Sequence, residues 1–334
     1  MSTIAFPDFS SADAPGRATG FNVPGTLTAS GQVAAGQTIR VTVQDTDGVD
    51  AARYAWEVMD GAGAWSAVPG ADGSALTLGT QAPAAVRVAA SYADILGRLD
   101  TLVATLGTEG NDRLEGSDGG SDTILAGAGD DVITNRTTGY ATDVIDGGAG
   151  FDILYTNQYY IERADTAERA WRLLHNGSNT THVTGVERIM YDAPARGLLG
   201  FATDTDVDGA AGQAYRLYHA AFDRAPDSIG AGFWIGRLDA GMRLVEVADA
   251  FIASQEFRDL YGAAPGNAEL VDRFYQHVLG RAPDAVGAAF WTGALDSGRA
   301  GVADVLAAFS QSPENVAALV GVLDRGFGFT PYVD

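Results

Sequence analysis

The sequence contains no cysteine, and all 21 of its basic residues are arginine, so lysine is absent too. Without a thiol there is no disulfide, no thiolate metal site and no cysteine nucleophile. Without lysine there is no Schiff-base chemistry and no phosphate-loop lysine. Positive charge is scarce altogether: 43 acidic residues leave a formal net charge of -22 at pH 7. Nucleic-acid binding needs clustered Lys and Arg against phosphate, so this balance argues against it. It favours cation binding, or a chain kept soluble by self-repulsion. No run of eighteen apolar residues is present, which removes a membrane-spanning helix from the expected architecture. Four histidines occur (His175, His182, His219 and His277), and no H-E-x-x-H, G-x-S-x-G or G-x-G-x-x-G accompanies them. No nucleophile–base pair is legible. The start, MSTIAFPDFSSADAPGRATG, lacks a basic segment followed by an apolar one, so it reads as a mobile leader and not as a cleavable signal peptide.

Glycine is abundant instead, with 43 residues, and between residues 107 and 155 it recurs with aspartate about every nine positions. The segment divides into GTEGNDRLE (107–115), GGSDTIL (119–125), AGAGDDVIT (126–134), ATDVID (141–146) and GGAGFDILY (147–155). Each piece approximates G-G-x-G-x-D-x-U-x, where U is a large apolar residue. The aspartates are Asp112, Asp122, Asp131, Asp143 and Asp152. The U positions, Leu114, Ile124, Ile133, Ile145 and Leu154, are all aliphatic. Such a period has a physical reading. Six residues form a tight turn that exploits glycine's access to positive φ, and three form a short strand whose middle side chain points inward. Two units complete one coil of a parallel roll, so every second turn stacks on the same edge about 4.8 Å away. A cation between stacked turns meets backbone carbonyls from both and a carboxylate from each. Hard oxygen ligands in a flexible cage suit calcium better than magnesium or zinc.

The expected calcium-site residues are Gly107, Gly110, Asp112, Gly120, Asp122, Gly127, Gly129, Asp131, Asp143, Gly148, Gly150 and Asp152. Stacking pairs Asp112 with Asp131, Asp122 with Asp143, and Asp131 with Asp152, at separations of 19, 21 and 21 residues. A regular nine-residue repeat would give about 18. The insertions, NRTTGY above all, rank the first and third pairs ahead of the second. From Glu109 to Asp152 ten acidic residues face Arg113 and Arg136, a balance of -8 over 44 residues. A segment so charged is expected to stay disordered until a divalent cation neutralises it. A second carboxylate cluster, DTDVDG (204–209), imitates the opening of an EF-hand loop, but its twelfth position is Tyr215 where a bidentate Glu belongs. Asp208 is therefore expected to cap the following helix, with a weak ion site as the alternative.

On either side the chain changes character. TIRVTVQ (38–44), RYAWEVM (53–59), SALTLG (74–79) and AVRVAASY (85–92) are short alternating runs separated by turn residues, which predicts a small β-sandwich around Trp56. ILY, YYIERA, AWRLLHN and VERIMYD continue as β beyond the repeats and read as the cap a roll needs at its end. The Gly/Asp-rich stretch near 195–212 reads as a linker. QAYRLYHAAF, LVEVADAFIAS, ELVDRFYQHVL and VADVLAAF then carry helical i, i+3, i+4 spacing. RAPDSIGAGFWIGRLDAG (224–241) returns as RAPDAVGAAFWTGALDSG (281–298), 57 residues later. Asp227 and Asp284 are expected N-caps, Phe233/Trp234 and Phe290/Trp291 a buried ridge, and Gly241 and Gly298 the stops. The fold class is thus multidomain β + α. It comprises a leader (1–20), a β-sandwich (21–106), a short parallel β-roll (107–155), a β cap (156–203), an all-α domain of two similar helical repeats (204–322) and a tail (323–334).

On GTEGNDRLE, AGAGDDVIT and GGAGFDILY the chain resembles the RTX, or hemolysin-type calcium-binding, proteins exported by type I secretion. THVTGVERIMYD is similar to the T-x-x-G-V-E-R signature that follows such repeats. Residues 207–322 resemble a duplicated helical domain of unknown function from bacterial RTX and surface-layer-type proteins. The segment DTDGVDAARYAWEV…VRVAASYAD resembles Ig-like modules that precede calcium repeats in bacterial secreted proteins. The resemblance implies export by the type I apparatus, with GFGFTPYVD (326–334) as an uncleaved signal, and folding outside the cell. Extracellular calcium modules bind with Kd of roughly 0.1 to 1 mM. With no nucleophile–base pair legible, the leading expectation is a non-enzymatic, adhesin-like or surface-layer-like role, with cell-surface components, matrix or glycans as partners. Two other classes stay open. One is a secreted hydrolase with structural calcium, marked by a cleft of converging carboxylates. The other is a glycan-binding module, marked by Trp65, Tyr159 and Tyr160 exposed in one patch.

Overall fold

The structure, a computed structural model, describes residues 25–332 apart from 47, 95, 96, 98, 118, 137–140, 166–168, 176–178 and 194–196. The expected leader and the last two residues of the expected signal lie outside the described residues. The chain forms two compact units, Met1–Val186 and Glu187–Asp334.

In the first unit, alternating apolar residues set β1 (Thr26–Ser30), β2 (Thr38–Gln44), β3 (Arg53–Met59), β4 (Trp65–Ala67), β5 (Ala75–Thr77), β6 (Ala85–Ala93) and β7 (Leu99–Leu106). β1, β2 and β5 make one antiparallel sheet, while β7, β6, β3 and β4 lie side by side in another. Period-2 alternation turns Ile39 and Val41 of the small sheet and Trp56, Val86, Val88 and Leu102 of the large one into a shared buried cluster. Trp56 is 1% exposed, and its indole N–H donates to the Gly73 carbonyl at 2.8 Å.

The repeat segment supplies β8 (Arg113–Glu115), β9 (Ser121–Leu125), β10 (Val132–Asn135), β11 (Thr142–Asp146) and β12 (Ile153–Thr156). Alternate strands go to alternate faces: β8, β10 and β12 pair in parallel, and so do β9 and β11. Ile133 stands opposite Leu114 and Leu154 in one set and Ile145 opposite Ile124 in the other, all five at most 1% exposed. Fully burying a side chain of this size stabilises by about 1.5–3 kcal/mol, which is why the period needs an aliphatic residue at this position. β9 also pairs in parallel with β7, from Leu102 opposite Ser121 to Leu106 opposite Leu125. The sheet therefore runs on through residues 106–107, where the composition changes from sandwich to repeat. β13 (Tyr160–Asp165), β14 (Ala170–His175) and β15 (Asn179–Thr184) form an antiparallel meander, and β15 pairs in parallel with β11. The resulting nine-stranded sheet has β13 at one edge and β4 at the other.

In the second unit β16 (Arg188–Ala193) and β17 (Gly197–Ala202) form a hairpin, so part of the stretch expected as linker is strand. Eight helices follow among the described residues: α1 (Ala210–Phe222), α2 (Ser228–Asp239), α3 (Leu244–Ile252), α4 (Gln255–Tyr261), α5 (Asn267–Leu279), α6 (Ala285–Asp296), α7 (Val302–Ser310) and α8 (Pro313–Leu323). α1 and α5 begin at 210 and 267, α2 and α6 at 228 and 285, and α3 and α7 at 244 and 302, offsets of 57, 57 and 58. Asp227 caps α2 by accepting from Gly230 N–H at 2.9 Å, and Asp284 caps α6 by accepting from Gly287 N–H at 2.8 Å. Leu217, Phe251, Phe274, Val305 and Phe309 lie in one core. The expected aromatic ridge is only half there. Trp234 and Trp291 reach the core, with ring centroids 5.1 Å from Phe251 and 5.6 Å from Phe309, but Phe290 is 58% exposed. Its counterpart Phe233 is covered by Tyr332, 4.8 Å away, because the chain end passes α2 and not α6. Within that end, β18 (Phe327–Phe329) pairs with β17.

Candidate metal centre

The nine-residue period converges at the turns. Along one edge, the turns 107–112, 126–131 and 147–152 stack in register. Ala128 N–H donates to Thr108 O at 3.3 Å, Ala149 N–H to Gly127 O at 3.0 Å, and Gly129 N–H to Ala149 O at 2.8 Å. The three aspartates form a ladder: Asp112 N–H donates to Asp131 Oδ1 at 2.7 Å, and Asp131 N–H to Asp152 Oδ1 at 2.9 Å. A second ladder runs beside it, from Asp130 N–H to Asn111 Oδ1 at 2.9 Å and from Phe151 N–H to Asp130 Oδ1 at 3.0 Å. The pattern reading missed this ladder, although an amide or carboxylate just before the aspartate at 111 and 130 was its visible signal.

The glycines serve two purposes. Gly150 sits at φ +138°, and an added Cβ would overlap the Gly129 carbonyl oxygen. Gly107 has an ordinary φ, and there only the close approach matters, since a Cβ would meet the Ala126 carbonyl oxygen. Gly110 needs neither: its φ is ordinary, and the nearest atom to an added Cβ is Thr108 Oγ1 at 3.8 Å. Of the expected site glycines, Gly110 is therefore one whose place in the turn neither positive φ nor close approach explains.

On the opposite edge Asp122 and Asp143 also stack, with Asp122 N–H donating to Asp143 Oδ1 at 3.0 Å. All three expected pairs therefore meet despite separations above the regular period. Of the expected residues on this edge, Gly120 lies in the turn before Asp122 at φ +92°. The surroundings differ between the two edges. Ser117 donates its hydroxyl to Asp122 Oδ1 at 2.7 Å and its N–H to Asp122 Oδ2 at 3.0 Å. Asn135 Nδ2 and Thr181 Oγ1 donate to Asp143 Oδ2 at 2.9 and 3.3 Å. On the first edge Thr108 donates its N–H and hydroxyl to Asp112 Oδ2, at 2.6 and 2.9 Å. Asp131 is different: fully buried, its Oδ2 accepts no hydrogen bond from any described residue.

Burial pushes the Asp122 carboxyl up to about 7, with the charge of Asp143 adding to it and the Ser117 hydrogen bonds opposing. Burial pushes Asp131 up to about 6, opposed by the Asp112 N–H and reinforced by the charges of Asp112 and Asp130. Charged carboxylates held out of water beside one another need a cation or a proton. Among the described residues no three His, Asp or Glu side chains converge as a metal cluster. A cation at these turns would therefore draw on backbone carbonyls as well as the aspartates, a donor set of hard oxygens that fits calcium.

The DTDVDG loop holds a cation of a different kind. Arg216 donates to the carbonyl oxygens of Asp206 and Val207, both at 2.8 Å, and of Thr205 at 3.3 Å. A buried guanidinium thus occupies the carbonyls that an ion would need. Asp208 is not the helix cap. Gly209 is, and Asp204 Oδ2 accepts from Ala211 N–H at 3.3 Å while pairing with buried Arg188, which also bridges to Asp239 at 2.7 Å.

Of the rings expected to form one glycan patch, Tyr159 and Tyr160 meet, with centroids 4.8 Å apart, but Trp65 lies away from them. Trp65 is in β4 and Tyr160 in β13, the two edges of the nine-stranded sheet. Eight strand spacings of about 4.8 Å separate them, roughly 38 Å measured across the sheet. The Arg87 guanidinium also lies over the Trp65 ring, 4.4 Å from its centroid. Of the histidines, His219 lies 3.9 Å from Asp223 in an i, i+4 pair, and His277 packs 5.7 Å from Tyr261. His182 is held below its usual value by burial and Arg172.

Residues 106–134 and 137–158 match the family described as "RTX calcium-binding nonapeptide repeat (4 copies)". Residues 248–319 match a domain of unknown function, DUF4214. The chain thus carries repeats of a kind that binds Ca2+ and is typical of secreted proteins. No curated protein matches. Among solved structures, the extracellular lipase LipA from Serratia marcescens is similar over 30% of this chain, at 21% identity and a TM-score of 0.25. The matched part is 17% of that lipase's length. Among the described residues no helix is long and apolar enough to cross a membrane.

Proposed function

We propose that the chain is a secreted calcium-binding protein with a structural or adhesive role, whose roll folds when calcium binds outside the cell. One observation carries the reading: fully buried Asp131, at the middle of three stacked glycine turns, has a carboxylate oxygen that accepts no hydrogen bond from any described residue. Asp112, Asp131 and Asp152, with carbonyls of the turns shaped by Gly107, Gly127, Gly129, Gly148 and Gly150, would hold the ion. The ion would supply the positive charge that a segment of balance -8 lacks. Export by a type I apparatus fits this coupling, because an acidic segment stays unfolded where calcium is scarce and folds where it is millimolar.

In the same reading the N-terminal sheets are an Ig-like module, residues 156–203 cap the roll, and helices α1–α4 and α5–α8 are a duplicated pair that offers an assembly or adhesion surface. Matching helix starts and paired Asp227 and Asp284 caps support the duplication. The experiment is a calcium titration followed by far-UV circular dichroism, with magnesium as control. The reading expects β signal and protease resistance to appear with calcium in the high-micromolar to millimolar range and not with magnesium. A spectrum indifferent to calcium would refute it.

A further inference from the structure

We infer that calcium loads on one edge of the roll only. The edge of turns 107–112, 126–131 and 147–152 takes the ion, and the opposite edge has replaced it with side-chain donors of its own. This inference rests on the calcium reading above and assigns where within the roll that reading applies.

The two edges start from the same motif and end in different chemistry. On the Asp131 edge, the turns flanking the open carboxylate oxygen present Gly127, Gly129, Gly148 and Gly150, which have no side chain to donate. Asp131 Oδ2 is left without a hydrogen bond from any described residue, although the side chain is fully buried. On the Asp122–Asp143 edge every carboxylate oxygen is engaged by a neutral donor. Ser117 Oγ and N–H serve the two oxygens of Asp122, at 2.7 and 3.0 Å. Asp122 N–H serves Asp143 Oδ1 at 3.0 Å, and Asn135 Nδ2 and Thr181 Oγ1 serve Oδ2 at 2.9 and 3.3 Å.

Two of these donors stand where the first edge has something smaller or charged. Asn135 opens its turn at the position held by Gly107, Ala126 and Gly147 on the other edge. It is 1% exposed, and its Oδ1 fills the space an added Cβ on Gly116 would take. Thr181 pairs with Asp143 across β15 and β11, the place where a continued ladder would put another aspartate. A calcium ion entering here would have to strip Ser117, Asn135 and Thr181 from carboxylates they already satisfy, leaving the buried donors of Asn135 and Thr181 unpaired. On the first edge Thr108 donates in the same way to Asp112 Oδ2, but Asp131 Oδ2, which both turn pairs share, has no hydrogen bond from any described residue to displace.

The test is the calcium count of the full chain by native mass spectrometry and equilibrium dialysis, for wild type, Asp131→Asn, Asp122→Asn and Asn135→Ala. Wild type is expected to take two ions, one per stacked turn pair on the Asp131 edge. Asp131→Asn, shared by both pairs, is expected to lose them, and Asp122→Asn to keep them. Asn135→Ala changes no charge and tests the closure if Asp122→Asn fails to fold. The count is expected to hold at two or to rise as the opposite edge opens. A wild type that binds calcium but loses an ion in Asp122→Asn or Asn135→Ala, or that takes three ions, overturns this inference alone. A wild type that binds no calcium overturns it together with the proposed function.

Discussion

Replacing Ile133 with alanine tests the coupling between the apolar interior of the roll and its calcium. Ile133 is fully buried at the middle of the β8–β10–β12 set, opposite Leu114 on one side and Leu154 on the other. Both neighbours are anchored in strands, so the site cannot collapse fully, and the truncation costs about 2–5 kcal/mol. Each calcium ion held at ten times its Kd returns about 1.4 kcal/mol. Two ions therefore recover about 3 kcal/mol, close to the loss. Ile133→Ala should then show an unfolded roll at calcium levels that fold the wild type, and should reach the same β signal in excess calcium. A loss of about 3 kcal/mol shared by two ions moves the calcium midpoint upward about tenfold. The assay is circular dichroism against free calcium, with Leu99→Ala, at an 85% exposed position, as the silent control. An Ile133→Ala midpoint equal to that of wild type would refute the reasoning, because calcium binding would then be uncoupled from the packing of the U positions.

Gly150→Ala should cost more than about 1 kcal/mol, since it strains a positive φ and meets a carbonyl, whereas Gly110→Ala should be close to neutral. Urea unfolding in calcium separates the two, and equal effects would contradict the assignment of roles. Without calcium, the folded roll holds Asp122 and Asp131 at about 7 and about 6, above their ordinary 3.8, so it binds more protons than the unfolded chain. In chelator its stability should be greatest near and below pH 4 and should fall as pH rises toward 7. Saturating calcium should remove that fall, and a roll that gains stability over this range in chelator would contradict the burial argument. Asp227→Ala and Asp284→Ala should each cost the helical unit about 0.5–2 kcal/mol in thermal unfolding, and a cost at one cap only would show that the two are not equivalent.

Much of the site could be read from spacing alone, because each repeat carries its own turn, its own aspartate and its own buried aliphatic residue. The pairs Asp112–Asp131, Asp122–Asp143 and Asp131–Asp152 follow from the two-turn coil. The insertion at NRTTGY blurs the period without breaking the register, because strand pairing and not turn length sets where Asp143 lands. Non-local partners were hidden. Nothing near Leu102 signals parallel pairing with Ser121, so the continuous sheet across residues 106–107 had no local trace. Thr181 reaches Asp143 from 38 positions away, outside any repeat. Local chemistry also misled in places. DTDVDG has the charges of an ion loop, but the deciding partner is Arg216 in the helix beyond it. Phe290 matches Phe233 in sequence, and only the path of the chain end distinguishes covered from exposed.

The most direct measurement is anomalous scattering from crystals of the intact chain grown with calcium. The account predicts anomalous peaks between the stacked turns 107–112, 126–131 and 147–152, within bonding distance of Asp131 Oδ2. Crystals in millimolar calcium with no peak at those turns, and Asp131 still unpartnered, would contradict it.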